Sequence, residues 1–417
     1  MLVGNTISVG ILRTPGEIAA RLPSPALFLG VWLLGGLYAL LGAMSMAESG
    51  AMVARSGGQY AIVHRALGPY PGFIVGWSDW LSTAASTSLV AMVFAEYAIP
   101  LVKGFPGGQT SISCGLVLLF GVMQWRGARG GDAAQQILTA GKAVAFGALI
   151  VAALVMSVPA QATTTTVVPV GAALFGAVII ALQSVIFTYD GWTAPLYFGE
   201  EIADAGRSIP RSMAGGVLVV IAIYLVLNVA FVRVVGVNTM AGDPFVAATM
   251  GQRLFGDHGD LIIRLLVLVS LLSGLNSNVM MAPRIPLAMS RDGLMPHAFD
   301  TVNLGGTPVV AHWISIGLAL GFILSGTVQT VLALAAFFFV ANYTLSFVSV
   351  FALRRKEPAT PRPFRVPGFP YTTGIVLIGS IAFLVGAVVT DRTNSTRSLL
   401  LLAASYPIYR VILRLRS

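Results

Sequence analysis

The segment Phe187-Thr188-Tyr189-Asp190-Gly191-Trp192-Thr193-Ala194-Pro195 interrupts a stretch that is otherwise as apolar as a membrane helix. Gly191 costs about 1 kcal/mol relative to alanine inside a helix, and Pro195 removes a backbone donor, so the two residues predict local unwinding. Unwound backbone survives in lipid only where protein or a water-filled cavity satisfies it, and Asp190 at this depth needs the same shelter. The segment therefore predicts a binding site.

The composition is that of a polytopic membrane protein. Of the 417 residues, 56% are hydrophobic and 10% are charged, whereas soluble proteins average about 25% charged residues. The net charge of +9 lies in short loops between apolar spans, which indicates membrane orientation and not nucleic-acid binding. Cys114 is the single cysteine, so no intramolecular disulfide forms.

Twelve apolar stretches approach the roughly 20 residues that a helix needs to cross a bilayer. Their approximate bounds are 1–21, 26–54, 72–100, 111–125, 133–158, 171–198, 215–235, 261–281, 309–324, 328–353, 374–389 and 398–413.

Lysine and arginine are unevenly divided between alternate loops. One side carries sixteen of them: Arg55, Arg65, Arg126, Arg129, Arg207, Arg211, Arg284, Arg291, Arg354, Arg355, Lys356, Arg362, Arg365, Arg410, Arg414 and Arg416. The other side carries eight, and Lys142 is left inside a span: Arg13, Arg21, Lys103, Arg233, Arg253, Arg264, Arg392 and Arg397. The positive-inside rule predicts a multi-pass protein of the cell (inner) membrane with both termini in the cytoplasm.

A second interruption, Ile7-Ser8-Val9-Gly10-Ile11-Leu12-Arg13-Thr14-Pro15, lies in the first span. Glycine and proline are common in membrane helices, and either break alone could reflect only that. Two breaks at matched positions of consecutive five-helix units favour an inverted-repeat transporter, with its substrate near the midplane. The predicted units are residues 1–158, residues 171–353 and an accessory pair of helices in 371–417.

The residues also resemble a known family. Asn5-Thr6-Ile7-Ser8-Val9-Gly10-Ile11-Leu12 and Phe187 to Trp192 resemble the helix 1 and helix 6 motifs of the amino acid/polyamine/organocation superfamily. Further matches run along nearly the whole chain: Ser56-Gly57-Gly58-Gln59-Tyr60, Gly76-Trp77, Phe94-Ala95-Glu96-Tyr97, Thr139-Ala140-Gly141-Lys142, Glu200-Glu201 to Ile209-Pro210-Arg211, Ser290-Arg291-Asp292-Gly293 and Arg362-Pro363-Phe364.

The resemblance is strongest to the L-type amino acid transporter branch and its bacterial exchangers. It implies an all-α integral membrane protein with the leucine-transporter fold, in which five plus five inverted helices, with helices 1 and 6 broken, are followed by two more. Two departures stand out. The family's usual Gly-Ser-Gly is Ser8-Val9-Gly10 here, and Asp190 replaces a residue that is often glycine in the animal L-type branch.

The two breaks predict how an amino acid is held. Free N–H groups at the helix start near Ile7, Ser8, Val9 and Gly10 would seat an α-carboxylate. Carbonyl groups freed between Phe187 and Asp190 would seat the amino group. The resemblance implies the same division, with Phe187 as an aromatic gate. Gly191 belongs to the same segment, and Tyr189 and Trp192 would line the pocket or pack beside it.

Lys142 lies about 14 Å along the fifth span, where a charge costs at least ~2.5 kcal/mol. The resemblance implies that this lysine takes the place of a sodium ion between helices 1, 5 and 8. Its expected neighbours on helix 8 are Ser273, Asn276 and Ser277. Two roles stay open: a titratable group that couples transport to protons, or a permanently charged structural cation.

Other charged residues are weaker candidates. Asp79 and Glu48 could relay protons, although a buried acid is more often capped by backbone donors or an arginine. Glu200 and Glu201 are predicted to form inner-gate ion pairs with Arg207 and Arg211. The histidines have no metal-ligand spacing, so we expect neither a metal nor another cofactor.

These features favour a secondary transporter of neutral L-amino acids, working by exchange or proton symport through alternating access. A membrane enzyme is disfavoured because no nucleophile–base or metal motif is found. A channel would need a continuous polar lining. A cationic amino acid or polyamine permease is the alternative, supported by Asp190. We also expect that the protein begins upstream of Met1, because about seven residues precede the first break and half a membrane needs about ten.

Overall fold

The computed structural model describes residues 2–7, 9–102, 104–156 and 169–414, and only the backbone of residues 9 and 128–134. Within these ranges the chain forms seventeen α-helices and no β-strand. The helices are α1 (Leu2–Thr6), α2 (Val9–Arg21), α3 (Pro25–Val53), α4 (Gln59–Leu67), α5 (Pro69–Ala98), α6 (Gly108–Trp125), α7 (Ala128–Val155), α8 (Gly171–Tyr189), α9 (Ala205–Val234), α10 (Val237–Met240), α11 (Val246–Phe255), α12 (Gly259–Met281), α13 (Arg284–Arg291), α14 (Val309–Ser325), α15 (Val328–Lys356), α16 (Tyr371–Thr390) and α17 (Arg392–Arg414). Three 3-10 turns cover Ala194–Phe198, Gly256–His258 and His297–Asp300.

Seven helical segments of the described chain are long and apolar enough to cross a membrane: Pro25–Val53, Gln135–Val155, Gly171–Phe198, Ala205–Val234, Val246–Arg291, Val328–Lys356 and Tyr371–Thr390. The predicted all-helical, multi-pass membrane protein is therefore confirmed. The number of twelve spans and the inverted repeat stay predictions.

Helix α5 is the centre of the bundle and packs against α12, α14, α15 and α6. Alanines 84, 85 and 91 on this helix are fully buried. Small side chains allow membrane helices to approach closely, which substitutes for the hydrophobic effect that lipid cannot supply. By contrast α16 leaves Ile375 and Ile378 largely exposed, as expected for a helix that faces lipid.

Helices at corresponding places in the two halves of the chain pack against each other. Helix α2 packs on α8, α3 on α9, α5 on α12 and α6 on α14. The first of these pairs brings the two interrupted segments together in the middle of the bundle, beside α5 and α12. The candidate site lies there.

Candidate functional site

The first interruption is short. Helix α1 ends at Thr6 and α2 begins at Val9. Pro15 lies inside α2, so the unwound region does not extend to this proline as the sequence suggested. The helix nevertheless continues past this proline to Arg21, without the hydrogen bond that an N–H at position 15 would donate to the carbonyl group of Ile11. Ser8 and the side chain of Val9 lie outside the described residues.

The second interruption follows the prediction. Helix α8 ends at Tyr189, and Gly191 has a φ of +108°, which side-chain-bearing residues rarely adopt. A Cβ atom at this glycine would lie 2.9 Å from the amide nitrogen of the Asn5 side chain and 3.1 Å from the backbone nitrogen of Thr6. Gly191 is thus required both by its own conformation and by the close approach of α1.

One tyrosine joins the two breaks. The hydroxyl of Tyr224, on α9, lies 2.8 Å from the carbonyl oxygen of Thr6 and 3.1 Å from that of Thr188. Both carbonyl groups are at helix ends, where intrahelical donors are missing. The Thr188 hydroxyl in turn donates to the Thr14 hydroxyl at 2.9 Å. Sequence reasoning missed Tyr224 because a lone tyrosine in an apolar helix has the pattern of ordinary packing.

A cavity, called the central cavity below, lies between the breaks and the helices α5, α12 and α15. Its polar lining comes from Asn5, Thr6, Thr83, Ser86, Thr188, Asp190, Thr193, Tyr197 and Asn278. Its apolar lining includes Leu89, Val90, Phe187, Met281 and Phe339, and the glycines Gly10 and Gly191 complete it. A small chamber lined by both polar groups and apolar side chains is typical of ligand sites.

Four predicted site residues therefore meet in one place: Gly10, Phe187, Asp190 and Gly191. Ile7 is 2% exposed, and its carbonyl group accepts a hydrogen bond from Lys142.

Tyr189 and Trp192 do not line the central cavity, and of the two placements that the sequence left open both rings take the one beside it. The Tyr189 ring packs 4.9 Å from that of Tyr224, and the Trp192 ring packs 4.8 Å from that of Tyr343. Tyr189 is the last residue of α8, so its direction follows from the helix, whereas Trp192 comes after Gly191, whose φ of +108° redirects the chain. They belong to the packing of the bundle.

Asp190 lines the cavity and has a partner on α15. The Tyr343 hydroxyl donates a hydrogen bond to one carboxylate oxygen of Asp190. Tyr343 had no distinguishing signal in the sequence, because the contact joins segments 153 residues apart. The carboxylate therefore already has one hydrogen-bond partner within the protein.

Phe187 stands between the central cavity and a second cavity of about 190 Å³. The second cavity is lined by residues of α2, α8, α15, α16 and α17, among them Arg13, Glu17, Gln183, Gln329, Asp391 and Asn394. Phe187 lines both cavities, and its ring is 6.3 Å from the ring of Phe339. This position suits a side chain that divides two compartments.

Lys142 is 2% exposed, and its ammonium group binds the end of α1. The Nζ atom donates to the carbonyl oxygen of Gly4 at 2.8 Å and to that of Ile7. Ser273 on α12 shares the first acceptor, with its hydroxyl 3.5 Å from the Gly4 oxygen. The lysine thus joins α7 to α1 beside α12.

Asn276 was predicted to be a neighbour of Lys142, and it is linked to this region through the side chain of Gln135. Its side-chain amide donates to Gln135 at 2.9 Å, and the Gln135 amide donates to Ser273 at 3.2 Å. Through Gln135 and Ser273, Asn276 thus connects to the Gly4 carbonyl oxygen that also accepts from Lys142. Gln135 was not singled out in the sequence.

The buried acids differ in their partners. Glu48 forms two hydrogen bonds with Arg354, at 2.8 and 2.6 Å, and accepts a third from the backbone of Val366 at 2.8 Å. It is therefore a capped structural acid. Asp79, which is fully buried, accepts from the Tyr197 hydroxyl at 2.7 Å.

The ion pairs near the end of the second broken segment differ from the prediction. Glu201 pairs with Arg284 at 2.9 Å and Glu200 with Arg291 at 3.0 Å. Arg207 lies 4.0 Å from Asp204 instead. The predicted pairing of Glu200 and Glu201 with Arg207 and Arg211 is therefore wrong, because α13 folds back and brings its own arginines to the two glutamates.

Two further ion pairs lie nearby. Asp292, which follows α13, accepts from Arg55 at 2.9 Å and from Tyr60 at 2.9 Å. Glu357, beyond the end of α15, pairs with Arg65 at 2.7 Å, and hydrogen bonds from this guanidinium lower the pKa of the carboxyl group. Charged residues from four separate segments thus close one end of the bundle.

The model of the amino acid permease family matches residues 1–412. The chain belongs to this family. The serine/threonine exchanger SteT of Bacillus subtilis (strain 168) is 28% identical over 98% of this chain and 94% of its own length. The b(0,+)-type amino acid transporter 1 of Homo sapiens is 26% identical over 88% of this chain and 77% of its own length.

A third relative, the large neutral amino acids transporter small subunit 2 of Mus musculus, is 26% identical over 88% of this permease and 71% of its own length. The predicted membership of the superfamily, with exchanger and L-type relatives, is confirmed. The relatives carry the names of transporters and not of enzymes, which suggests that this permease is not an enzyme.

Proposed function

We propose that this permease exchanges neutral L-amino acids across the cell membrane by alternating access, and that the central cavity holds the substrate. The observation that carries the proposal is the meeting of two broken helices at one cavity, with Gly10 from the first and Gly191 from the second in its wall. Helix ends are the sites at which membrane transporters bind charged groups without charged side chains.

The α-carboxylate would bind at the start of α2. This helix begins at Val9, and its first N–H groups have no intrahelical acceptor. Gly10, in the first turn, lines the cavity. The positive end of the helix dipole favours an anion at this position. Ser8 and Val9 would contribute backbone groups to the same seat, whereas the Ile7 N–H donates to the Val3 carbonyl oxygen at 3.1 Å and is not free for it.

The amino group would bind at the other break. Carbonyl oxygens at the end of α8 have spare acceptor capacity, since each carbonyl group has two lone pairs. Asp190 and the Thr193 hydroxyl line the same wall. Asp190 already accepts a hydrogen bond from Tyr343, which uses part of its acceptor capacity. Its carboxylate would therefore contribute one more acceptor to the seat of the α-amino group and would not bind an additional cationic group of the substrate.

A cationic amino acid or a polyamine is the second candidate, and Asp190 is the observation in its favour. Such a substrate needs acceptors for an ammonium group at the far end of its side chain. Among the described residues that line the cavity, Asp190 is the one acid, and the side chains that α5, α12 and α15 contribute are uncharged. This lining offers no second carboxylate to a distal ammonium group, which favours an uncharged substrate side chain.

Lys142 would act as a fixed cation. Its ammonium group is held by two carbonyl oxygens, those of Gly4 and Ile7. Two charge-assisted hydrogen bonds keep a buried ammonium charged, and this supports the structural role over a titrating one. With Ser273 and, through Gln135, Asn276, the lysine would hold the end of α1 in place while the bundle moves.

The movement itself would follow from an inverted repeat of residues 1–158 and 171–353, with 371–417 as an accessory pair and twelve spans in all. The pairwise packing of α2 with α8, α3 with α9, α5 with α12 and α6 with α14 supports a two-fold relation. The ion pairs of Glu200 and Glu201 would form the cytoplasmic gate, and Phe187 the gate on the opposite side. Both termini would be cytoplasmic in this arrangement.

Transport of each labelled amino acid into liposomes loaded with a mixture of unlabelled amino acids tests the proposal. Serine and threonine are the first probes, because a relative is named for exchanging them. We expect uptake of neutral L-amino acids. Uptake of arginine or cadaverine without competition by any neutral amino acid would contradict the proposal and favour the second candidate.

A further inference from the structure

Asp79 is a buried acid without a basic partner. It lies about 15 Å along α5, where its residue is fully buried. One carboxylate oxygen, Oδ1, accepts from the Tyr197 hydroxyl at 2.7 Å, and the other, Oδ2, has no hydrogen-bond partner. Glu48 shows the contrast, because Arg354 and Arg362 lie against its carboxylate.

The groups around Asp79 do not neutralise a negative charge. The 3-10 turn supplies Tyr197, and the end of α8 supplies Asp190, a second acid that interacts with Asp79 electrostatically. From α15, Tyr343 donates to Asp190. Among the described residues no lysine, arginine or histidine lies within 4.0 Å of the Asp79 carboxylate. A buried carboxylate in such surroundings binds a proton or a cation.

Two contacts connect Asp79 with the central cavity. Tyr197, which holds Oδ1, lines the cavity. Thr83, which also lines the cavity, donates its hydroxyl hydrogen to the backbone carbonyl group of Asp79 at 2.8 Å. Tyr197 therefore lies between the cavity and the Asp79 carboxyl group, and Thr83 joins the same turn of α5 to the cavity wall.

We propose that Asp79 is a proton-binding site coupled to occupancy of the central cavity. The proton sits on Oδ2 while the cavity is empty. When the ammonium group of an amino acid enters, the O–H bond breaks and the proton leaves to the water of the cavity, so one positive charge replaces another. This inference rests on the proposed function, because it takes an amino acid as the occupant.

The coupling has a defined sign. Binding of one amino acid releases up to one proton. By linkage, acidification weakens amino acid binding. The affinity falls by up to tenfold for each pH unit below the pH at which Asp79 titrates. A return of the empty, neutral carrier would then carry a proton in the direction opposite to the amino acid.

Proton release is measured with purified protein in a weakly buffered detergent solution that contains a pH-sensitive dye and L-serine. We expect the parent to release up to one proton per serine bound. Asp79→Asn, which imitates the protonated acid, should release fewer, and its affinity should change little with pH. Asp257→Asn removes an exposed acid and should behave like the parent. Equal proton release by the parent and Asp79→Asn, or none by the parent, would overturn the proposal.

A second measurement does not depend on the ligand. The apparent unfolding temperature of the parent should fall relative to that of Asp79→Asn as the pH rises above about 4, because the unfolded chain ionises this carboxyl group near its ordinary pKa while the folded protein keeps it protonated. The relative fall should end at the pH at which the folded protein ionises Asp79. Equal pH dependence of the two proteins would contradict the proton site. If L-serine fails to bind at any pH, the proposed substrate is wrong and this measurement still decides the role of Asp79.

Tyr197→Phe covers the case in which Asp79→Asn does not fold. The variant removes the donor that stabilises the ionised carboxylate. We expect proton release and the end of the relative fall in unfolding temperature to move to higher pH. An unchanged pH dependence in Tyr197→Phe would count against the site.

Discussion

The hydroxyl of Tyr224 lies 2.8 Å from the carbonyl oxygen of Thr6, and the same hydroxyl is 3.1 Å from the carbonyl oxygen of Thr188. One side chain of α9 thus bridges the ends of both broken helices. The bridge fixes the distance between the two seats that we propose for the substrate.

Tyr224→Phe should lower thermal stability and transport together. The change leaves two buried carbonyl groups without this donor, at a cost of about 1–3 kcal/mol, and every 1.4 kcal/mol is tenfold in an equilibrium. Tyr189→Phe is the matched control, because the Tyr189 ring packs against Tyr224 but its hydroxyl has no partner. Unfolding temperature and initial uptake rate check both. Equal losses of unfolding temperature and uptake rate in the two variants would refute the role of the Tyr224 hydroxyl in joining the two helix ends.

Gly191→Ala should abolish transport. The new methyl group would lie 2.9 Å from the Asn5 side chain, at a φ of +108°. Gly176→Ala, inside the helix α8 that precedes the break, is the control, because nothing lies within 4 Å of its Cβ position, and it should be neutral or gain up to about 1 kcal/mol. If Gly191→Ala transports like Gly176→Ala, transport does not require the backbone conformation of Gly191 or its close approach to α1.

Lys142→Met should strongly reduce transport. It keeps the length of the side chain but leaves the carbonyl groups of Gly4 and Ile7 without their donor, with a loss of about 1.5–3 kcal/mol for each charge-assisted bond. Lys356→Met, which removes an ammonium group that donates to the Ala66 carbonyl at 2.8 Å near the end of α15, is the control. Parent-like uptake by Lys142→Met would exclude the structural cation.

Phe187→Ala should raise the KM for uptake by about tenfold or more, because it joins the central cavity to the second cavity and removes one wall of the proposed site. Phe175→Ala, at a position of α8 that is 71% exposed, removes the same ring from the lipid-facing surface. Concentration dependence of initial uptake distinguishes the two. An unchanged KM in Phe187→Ala would mean that this ring is not a gate.

The sequence predicted those features that break a local rule. A glycine and a proline in an apolar segment indicated the second break. A lysine inside a span indicated a buried cation that needs partners within the protein. Features that depend on pairing across the fold were not predictable. Tyr224 and Tyr343 have the pattern of ordinary core residues, and the partners of Glu200 and Glu201 lie 91 and 83 residues away.

The orientation of side chains at a break was also beyond the sequence. Tyr189 and Trp192 flank Gly191 and were expected at the pocket, but helical periodicity ends at Tyr189. Beyond that residue the direction of each side chain depends on the backbone conformation of Gly191. The first break was also shorter than expected, because α2 runs through Pro15 to Arg21.

The central claim is that the cavity between the broken helices exchanges a neutral L-amino acid. The direct test is uptake of labelled L-serine by liposomes that contain the purified protein, either loaded with unlabelled L-serine or empty inside. We predict that loading increases uptake about tenfold or more, that neutral L-amino acids compete, and that arginine and cadaverine do not. Uptake of arginine or cadaverine that no neutral amino acid inhibits, with no stimulation by internal serine, would contradict the account.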